Sequence, residues 1–190
     1  MRILLVDETP ERAEGLRAAL ARAGHEVMAQ LPDTLALLSQ IETLQPDLII
    51  VDTDSPGRDM LEHLCAVTER TPRPVVMFTF DGSHERIREA IHAGVSAYVV
   101  GRPDQREVAP LIEEAVVRFQ HFQALRRQLQ EARARLAERK VIERAKGLLM
   151  KHRGMAEEEA YHALRRLAMA RNQRIAEVAR RVLDMAELIG

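Results

Sequence analysis

The first hundred residues alternate short, uninterrupted apolar runs with stretches of helical spacing. Ile3-Leu4-Leu5-Val6 stops at Asp7, and Leu48-Ile49-Ile50-Val51 stops at Asp52. Pro74 to Phe78 and Ala97 to Val100 are runs of the same kind, and Glu26 to Ala29 is a weaker one. Helical patterns lie between them. Pro10 to Ala23 sets Ala13, Leu16, Leu20 and Ala23 on one face and meets Gly24. Thr34 to Leu44 carries Leu35, Leu38 and Ile41. Met60 to Arg70 follows, then Glu85 to Ala93, which closes at Gly94. A continuous apolar run has no polar side, so each such strand is buried on both faces. Strands of that kind alternating with helices predict an α/β fold, a doubly wound five-stranded parallel sheet. In such sheets function collects at the carboxyl ends of the strands.

From about Glu107 one helical pattern runs to about Arg153, with Pro110 near its first turn and Gly147 as the other breaker. Leu111, Ala115, Arg118, Phe122, Leu125, Leu129, Ala132 and Leu136 follow a 4-3-4-3-4-3-4 spacing. That is a heptad seam, interrupted by Arg118, and it predicts a parallel homodimer through 111–136. The plainer alternative is one helix lying against its own domains. Lys151-His152-Arg153-Gly154 is helix-stop chemistry, and Glu157-Glu158-Glu159 suits the first turn of a new helix. Ala160, Leu164, Leu167 and Ala168 form its stripe. Asn172 is placed to cap a third helix carrying Ile175, Val178, Ala179, Val182 and Ala186. The chain thus ends in a small three-helix all-α unit of about 50 residues, marginal alone.

Of 190 residues 46% are apolar and 30% charged, enough for a sizeable core. No apolar run approaches a membrane span, and the opening run meets Asp7 too early for a signal peptide, so a cytoplasmic location is expected. The one cysteine, Cys65, excludes an internal disulfide framework and reads as a small packed residue. The absence of Trp and the six scattered Phe and Tyr argue against a sheet of base-stacking aromatics. No nucleophile–base–orienter set, phosphate-cradling glycine loop or metal-spaced His pair appears, so no enzyme is expected. The net charge of −1 hides an asymmetry. Residues 1–118 carry 12 Lys or Arg against 20 Asp or Glu, residues 119–139 carry 5 against 2, and residues 140–190 carry 11 against 7. An acidic front and a basic back suggest two tasks in one chain.

Two constellations carry candidate chemistry. Asp7, Glu8 and Asp52 end neighbouring strands, so their carboxylates converge. Their repulsion is relieved by a hard divalent cation such as Mg²⁺, which would also draw an anionic phosphoryl group to Asp52. Thr79 ends the fourth strand, where its hydroxyl can donate to that group. The alternative is a set of solvated strand-end acids. The second constellation is the basic helical end, with Lys140, Arg144, Lys146, Lys151, Arg153, Arg165, Arg166, Arg171 and Arg174. A basic helical surface suits a polyanion, or is simply a salt-bridged, solvated face. Composition does not choose between DNA and RNA.

Val6-Asp7-Glu8, Asp52 with Pro56-Gly57, Thr79, Ala93-Gly94 and Tyr98 resemble the receiver domain of bacterial response regulators, a flavodoxin-like fold, over residues 1–118. The resemblance implies that Asp52 is the phospho-acceptor, that Asp7, Glu8 and Asp52 hold Mg²⁺, and that Thr79 and Tyr98 are a switch pair. Two positions depart from the pattern. Receivers usually carry Lys just before Pro at the end of the fifth strand. Here Gly101 holds that place, and Arg102 comes one residue late, before Pro103. Alternation along a strand then points Arg102 to the opposite face. Phe80 follows Thr79 where a small residue is usual, and a phenyl group there narrows the way to the pocket.

Glu143 to Lys151, Arg153-Gly154-Met155, Glu159-Ala160-Tyr161, Leu164-Arg165, Ala168-Met169, Asn172 and Glu177-Val178-Ala179 resemble the ANTAR domain, an RNA-binding module of bacterial antiterminators. Ala156 stands where that family often has a Ser or Thr cap, an omission costing about 1 kcal/mol. The whole chain resembles the AmiR/NasT family: a receiver at 1–118, a coiled-coil linker at 119–139 and an ANTAR domain at 140–190. Val51 to Pro56 and Phe119 to Ile142 look most like the nitrate-assimilation antiterminators of the NasT type. The resemblance implies binding of tandem stem-loops in nascent leader RNA, prevention of termination, and control by a nitrate-sensor inhibitor protein or a histidine kinase. Its candidate RNA contacts are Arg144, Lys146, Lys151, Arg153, Arg165, Arg166, Arg171 and Asn172, with Tyr161 either stacking on a base or packed. Two other readings stay open: a DNA-binding response regulator controlled at Asp52, and a protein-only signalling adaptor.

Overall fold

The central strands bury both faces, and two apolar layers form as a result. The computed structural model describes residues 1–104 and 106–189. Its strands are β1 (Arg2–Asp7), β2 (Glu26–Leu31), β3 (Leu48–Asp52), β4 (Val75–Thr79) and β5 (Ala97–Val100). They alternate with α1 (Pro10–Arg22), α2 (Leu37–Leu44), α3 (Arg58–Arg70), α4 (His84–His92) and the long α5 (Val108–Arg153). Helices α6 (Glu157–Arg171) and α7 (Ile175–Ile189) follow. All strand pairs are parallel, in the order β2-β1-β3-β4-β5. Alternation sends Leu4, Val6, Ile49, Val51 and Met77 into one layer with Leu37, Ile41, Leu61 and Leu64. Ile3, Leu5, Ile50 and Phe78 enter the other, with Leu20 of α1 and Ile112 of α5. Half-buried Cys65 packs against the first layer.

The chain divides into two compact units, Met1–Gln123 and Ala124–Gly190, with Gly190 outside the described residues. In the first, strand β2 runs two residues beyond its predicted end and stays paired with β1 as far as Leu31. Helix α2 begins three residues later than its pattern. Asp33 Oδ1 accepts the Leu35 N–H at 2.8 Å, a side-chain turn that competes with the first helical turn. Leu35 is consequently 75% exposed and Leu37 takes the inner position. Gly94, at φ 91°, closes the α4–β5 turn; a Cβ there would sit 2.6 Å from the Thr68 hydroxyl. The order of the sheet reverses between β1 and β3, where Asp7 lies opposite Asp52. That reversal opens a crevice at the carboxyl edge of the sheet.

The predicted seam is shortened by the core. Ala115 is fully buried against the sheet beside Val108 and Ile112, with Leu111 packed on the same layer. Those two positions therefore serve the first unit's own core and not a coil.

The second unit is built around small residues. Ala145, Leu164, Ala168, Val178 and Ala179 are buried together, with Ile142, Leu149 and Val182 packed against them. Leu167, assigned to the α6 stripe, is partly exposed. Gly154, at φ 64°, ends α5 as its sequence predicts. Ala156 offers no side-chain cap to α6, but its own N–H donates to Glu159 Oε2 at 3.0 Å, so half of a capping box survives. Asn172 does not cap the third helix. At φ 50° it is the left-handed residue that closes α6, and the Gln173 N–H returns to the Ala168 carbonyl at 3.0 Å.

Candidate functional site

Parallel register sets Asp7 and Asp52 side by side at the ends of β1 and β3, both almost fully buried. Asp7 Oδ1 accepts the Thr9 N–H at 2.7 Å. Asp7 Oδ2 is buried and, among the described residues, has no hydrogen-bond partner. A buried acceptor without a donor is costly, and a hard cation with oxygen ligands would relieve it. The Asp7–Asp52 pair therefore fits Mg²⁺. Glu8 is exposed, and among the described residues no three His, Cys, Asp or Glu side chains are gathered into a ligand set.

The pocket has a basic neighbour that strand alternation does not foresee. Arg102 Nε lies 3.6 Å from Asp52 Oδ2, and the guanidinium sits over the Phe80 ring at 5.2 Å from its centroid. The reason is backbone chirality. Strand β5 ends at Val100, and Gly101 adopts φ 88°, a conformation that L side chains rarely take. The chain leaves the strand's two-residue period there, so Arg102 turns back to the pocket it was expected to face away from. Phe80 is 57% exposed and is the guanidinium's shelf. A cavity of 280 Å³ beside the pair is lined by Gly15, Leu16 and Ala19 of α1 with Asp52, Phe78, Arg102, Pro103 and Val108.

The predicted switch residues lace two loops together. Buried Thr79 donates its hydroxyl to the Asp54 carbonyl at 2.9 Å and accepts the Asp81 N–H at 3.2 Å. Half-buried Tyr98 donates to the Asp81 carbonyl at 2.6 Å, and burial pushes its phenol above the ordinary range. Ser55 donates to Asp81 Oδ2 at 2.9 Å. Hydrogen bonds from Ser83 and Ser55 hold the Asp81 carboxyl below its ordinary range. Asp81 thus joins the β3–α3 loop to the β4–α4 loop.

In the second unit, six of the predicted contacts, Arg144, Lys151, Arg153, Arg165, Arg166 and Arg171, are exposed. Asn172 is also exposed, with its backbone committed to ending α6. Lys146 departs from the set. It is buried, and its ammonium donates to Glu157 Oε1 at 2.7 Å and Glu143 Oε2 at 3.0 Å. The hydrogen bonds to Glu157 and Glu143 raise its pKa, and Lys146 in turn lowers that of Glu157. Lys146 is therefore a clip between α5 and α6, not a contact waiting for a polyanion. Tyr161 is 38% exposed and meets His162 edge-on, with ring centroids 6.0 Å apart. Arg165 and Arg166 follow one helical turn later.

Residues 3–113 match the response regulator receiver domain, and residues 130–183 match the ANTAR domain. The transcriptional regulatory protein PdtaR of Mycobacterium tuberculosis (strain CDC 1551 / Oshkosh) is 31% identical over 183 residues, covering 96% of this chain and 89% of that protein. The chain belongs to the ANTAR response regulators. The nitrate regulatory protein of Klebsiella oxytoca is 41% identical over 83 residues, 44% of this chain and 20% of that protein. A receiver domain protein from Methanospirillum hungatei JF-1 superposes with a TM-score of 0.55 at 24% identity, over 63% of this chain and 96% of that one. This likeness shows the receiver fold alone.

Within this ANTAR regulator, sequence reasoning missed Asp81, the return of Arg102 to the pocket, and the Lys146–Glu157 clip. Asp81-Gly82-Ser83 does carry a signal, since Asp two residues before Ser just ahead of a helix is turn chemistry. Glu157, by contrast, reads only as a helix-start acid until the fold brings it to Lys146. No described helix is long and apolar enough to cross a membrane.

Proposed function

We propose that this ANTAR regulator is a dimeric, cytoplasmic RNA-binding antiterminator whose receiver governs when its ANTAR unit engages tandem stem-loops in nascent leader RNA. The observation that carries the reading is the solvent face of α6. There Tyr161 and His162 present aromatic rings, and Arg165 and Arg166 stand one turn on. Sequence-specific RNA recognition takes unstacked loop bases onto aromatic rings and guanidinium planes and holds the backbone by charge. Arg144, Lys151, Arg153 and Arg171 add exposed cations to the same unit. Nitrate or nitrite assimilation genes are the proposed targets, supported by the similarity to a relative named for nitrate regulation. A nitrate-sensor inhibitor protein or a histidine kinase is the proposed partner of the receiver.

Two loops suit a two-fold dimer, since each copy takes one and the second engagement becomes intramolecular. The dimer seam is Phe122, Leu125, Leu129, Ala132 and Leu136, all exposed along α5. Asp52 is the proposed acceptor. One of its carboxylate oxygens attacks the donor's phosphorus, the donor's bond to phosphorus breaks, and the leaving group departs with the electron pair. Asp7 and Asp52 would hold Mg²⁺, with exposed Glu8 at the rim, and the ion would neutralise the charge gathering there. Thr79 gives up its bond to the Asp54 carbonyl to reach the new phosphoryl oxygens. The same movement draws Thr79 away from the Asp81 N–H that it accepts, and so loosens one of the ties that hold Asp81, whose carbonyl accepts from Tyr98.

Replacing Arg165 and Arg166 with alanine tests the α6 face. RNA affinity falls and the slope of log affinity against log salt shrinks by about 1 to 2, while helical content stays. Unchanged affinity and slope would remove both arginines from the interface.

A further inference from the structure

We propose that Arg102 is the residue that grips a phosphoryl group on Asp52, presented by the Gly101 turn and steadied by the Phe80 ring. The inference rests on the reading of Asp52 as phospho-acceptor and adds a recognition residue from a position where strand geometry alone would not place one. Among the described residues, the Arg102 guanidinium makes no hydrogen bond. Its neighbours are the Asp52 carboxylate at 3.6 Å, beyond hydrogen-bond distance, and the Phe80 face. A guanidinium has five N–H donors in a planar fork and suits the oxygens of a phosphoryl group better than a single carboxylate oxygen. Those donors stand unspent beside the 280 Å³ cavity that Asp52 also lines. A tetrahedral oxyanion built onto Asp52 thus has both room and donors.

The arrangement is held from two sides. Gly101 at φ 88° sets the direction in which Arg102 leaves the strand, and its N–H donates to the Thr79 carbonyl at 2.7 Å, which ties the turn to β4. Phe80 limits the guanidinium's excursions through cation–π attraction. It occupies the position after Thr79 without covering the pocket, since most of its ring faces solvent. The two departures from the family pattern, Gly101-Arg102 and Phe80, are therefore one device. An arginine brought back by a left-handed glycine needs a surface to rest on, and the phenyl group supplies it.

Beryllium fluoride, a non-covalent mimic of the phosphoryl group, is the probe. The full-length protein is titrated with it in the presence of Mg²⁺, and occupancy is followed by ¹⁹F NMR in wild type, Arg102→Ala, Arg102→Lys, Phe80→Ala and Asp52→Asn. The expected result is a bound resonance in wild type, absent in Asp52→Asn. Arg102→Ala should need about tenfold or more beryllium fluoride for half-occupancy, the loss of a charge-assisted hydrogen bond. Arg102→Lys should recover part of that loss, and Phe80→Ala should show a smaller one. Arg102→Ala binding as well as wild type, or better, would overturn the inference and make Arg102 a plug competing for Asp52. Absence of binding in wild type and Arg102→Ala alike would bring down the acceptor reading itself, and the inference with it.

Discussion

Between Glu143 and Glu157 the Lys146 ammonium makes three charge-assisted hydrogen bonds within the ANTAR unit, leaving little of it to offer a phosphate. Its pKa is raised by Glu157 first and Glu143 second, so its contribution to stability is complete below the ordinary lysine range and lost as pH rises through the raised value. Glu157 is lowered by Lys146, so its contribution is complete above the ordinary glutamate range and lost as pH falls through the lowered value. Lys146→Met is therefore expected to lower the melting temperature at pH 7, followed by circular dichroism. The difference from wild type should close as pH falls through the lowered Glu157 range, where Glu157 protonates and the pair loses its charge. Equal melting at pH 7 would count against the clip, and so would a changed RNA salt slope. At this scale the sequence is a partial guide. The acids at Asp7 and Asp52 are legible because a strand end fixes where its last side chain lies. Lys146 and Arg102 are not, because one depends on a partner eleven residues away and the other on the sign of a single φ angle.

Helix α5 meets two demands along its length. Its first turns bury Val108, Ile112 and Ala115 against the sheet, while Leu125, Leu129 and Leu136 remain more than half exposed farther along. A stripe of large apolar side chains at heptad spacing is costly in water, and in the proposed dimer a second helix of the same kind covers it. Leu125→Glu with Leu129→Glu should convert a dimer to a monomer in equilibrium sedimentation at tens of micromolar and leave the receiver fold intact. A dimer that survives both changes would place the interface elsewhere. The strands and the stop at Gly154 were legible as elements because continuous apolar runs and a left-handed glycine have few alternative uses. The start of α2 and the role of Asn172 were not. Asp33 and Asn172 are side chains that serve either end of a helix, and only the tertiary setting decides which.

Over the whole molecule the charge is divided as the labour is. The receiver half is acidic and carries the buried Asp7–Asp52 pair, and the ANTAR end is basic and exposes its arginines on helices. Polyanion binding through such a face is driven by counterion release, so its strength falls with salt by an amount that counts the phosphates engaged. Preference for looped RNA over duplex DNA calls for something more, namely bases free to stack, and in the proposed reading the exposed Tyr161 receives them. The most direct test is the affinity of the full-length protein for a labelled leader RNA with two stem-loops, against duplex DNA of equal length, across a salt series. An RNA-binding antiterminator binds the RNA more tightly at every salt concentration, with a steep salt slope, and binds more weakly once either stem-loop is deleted. Equal affinity for the duplex, or no salt-dependent binding to RNA, would contradict that function.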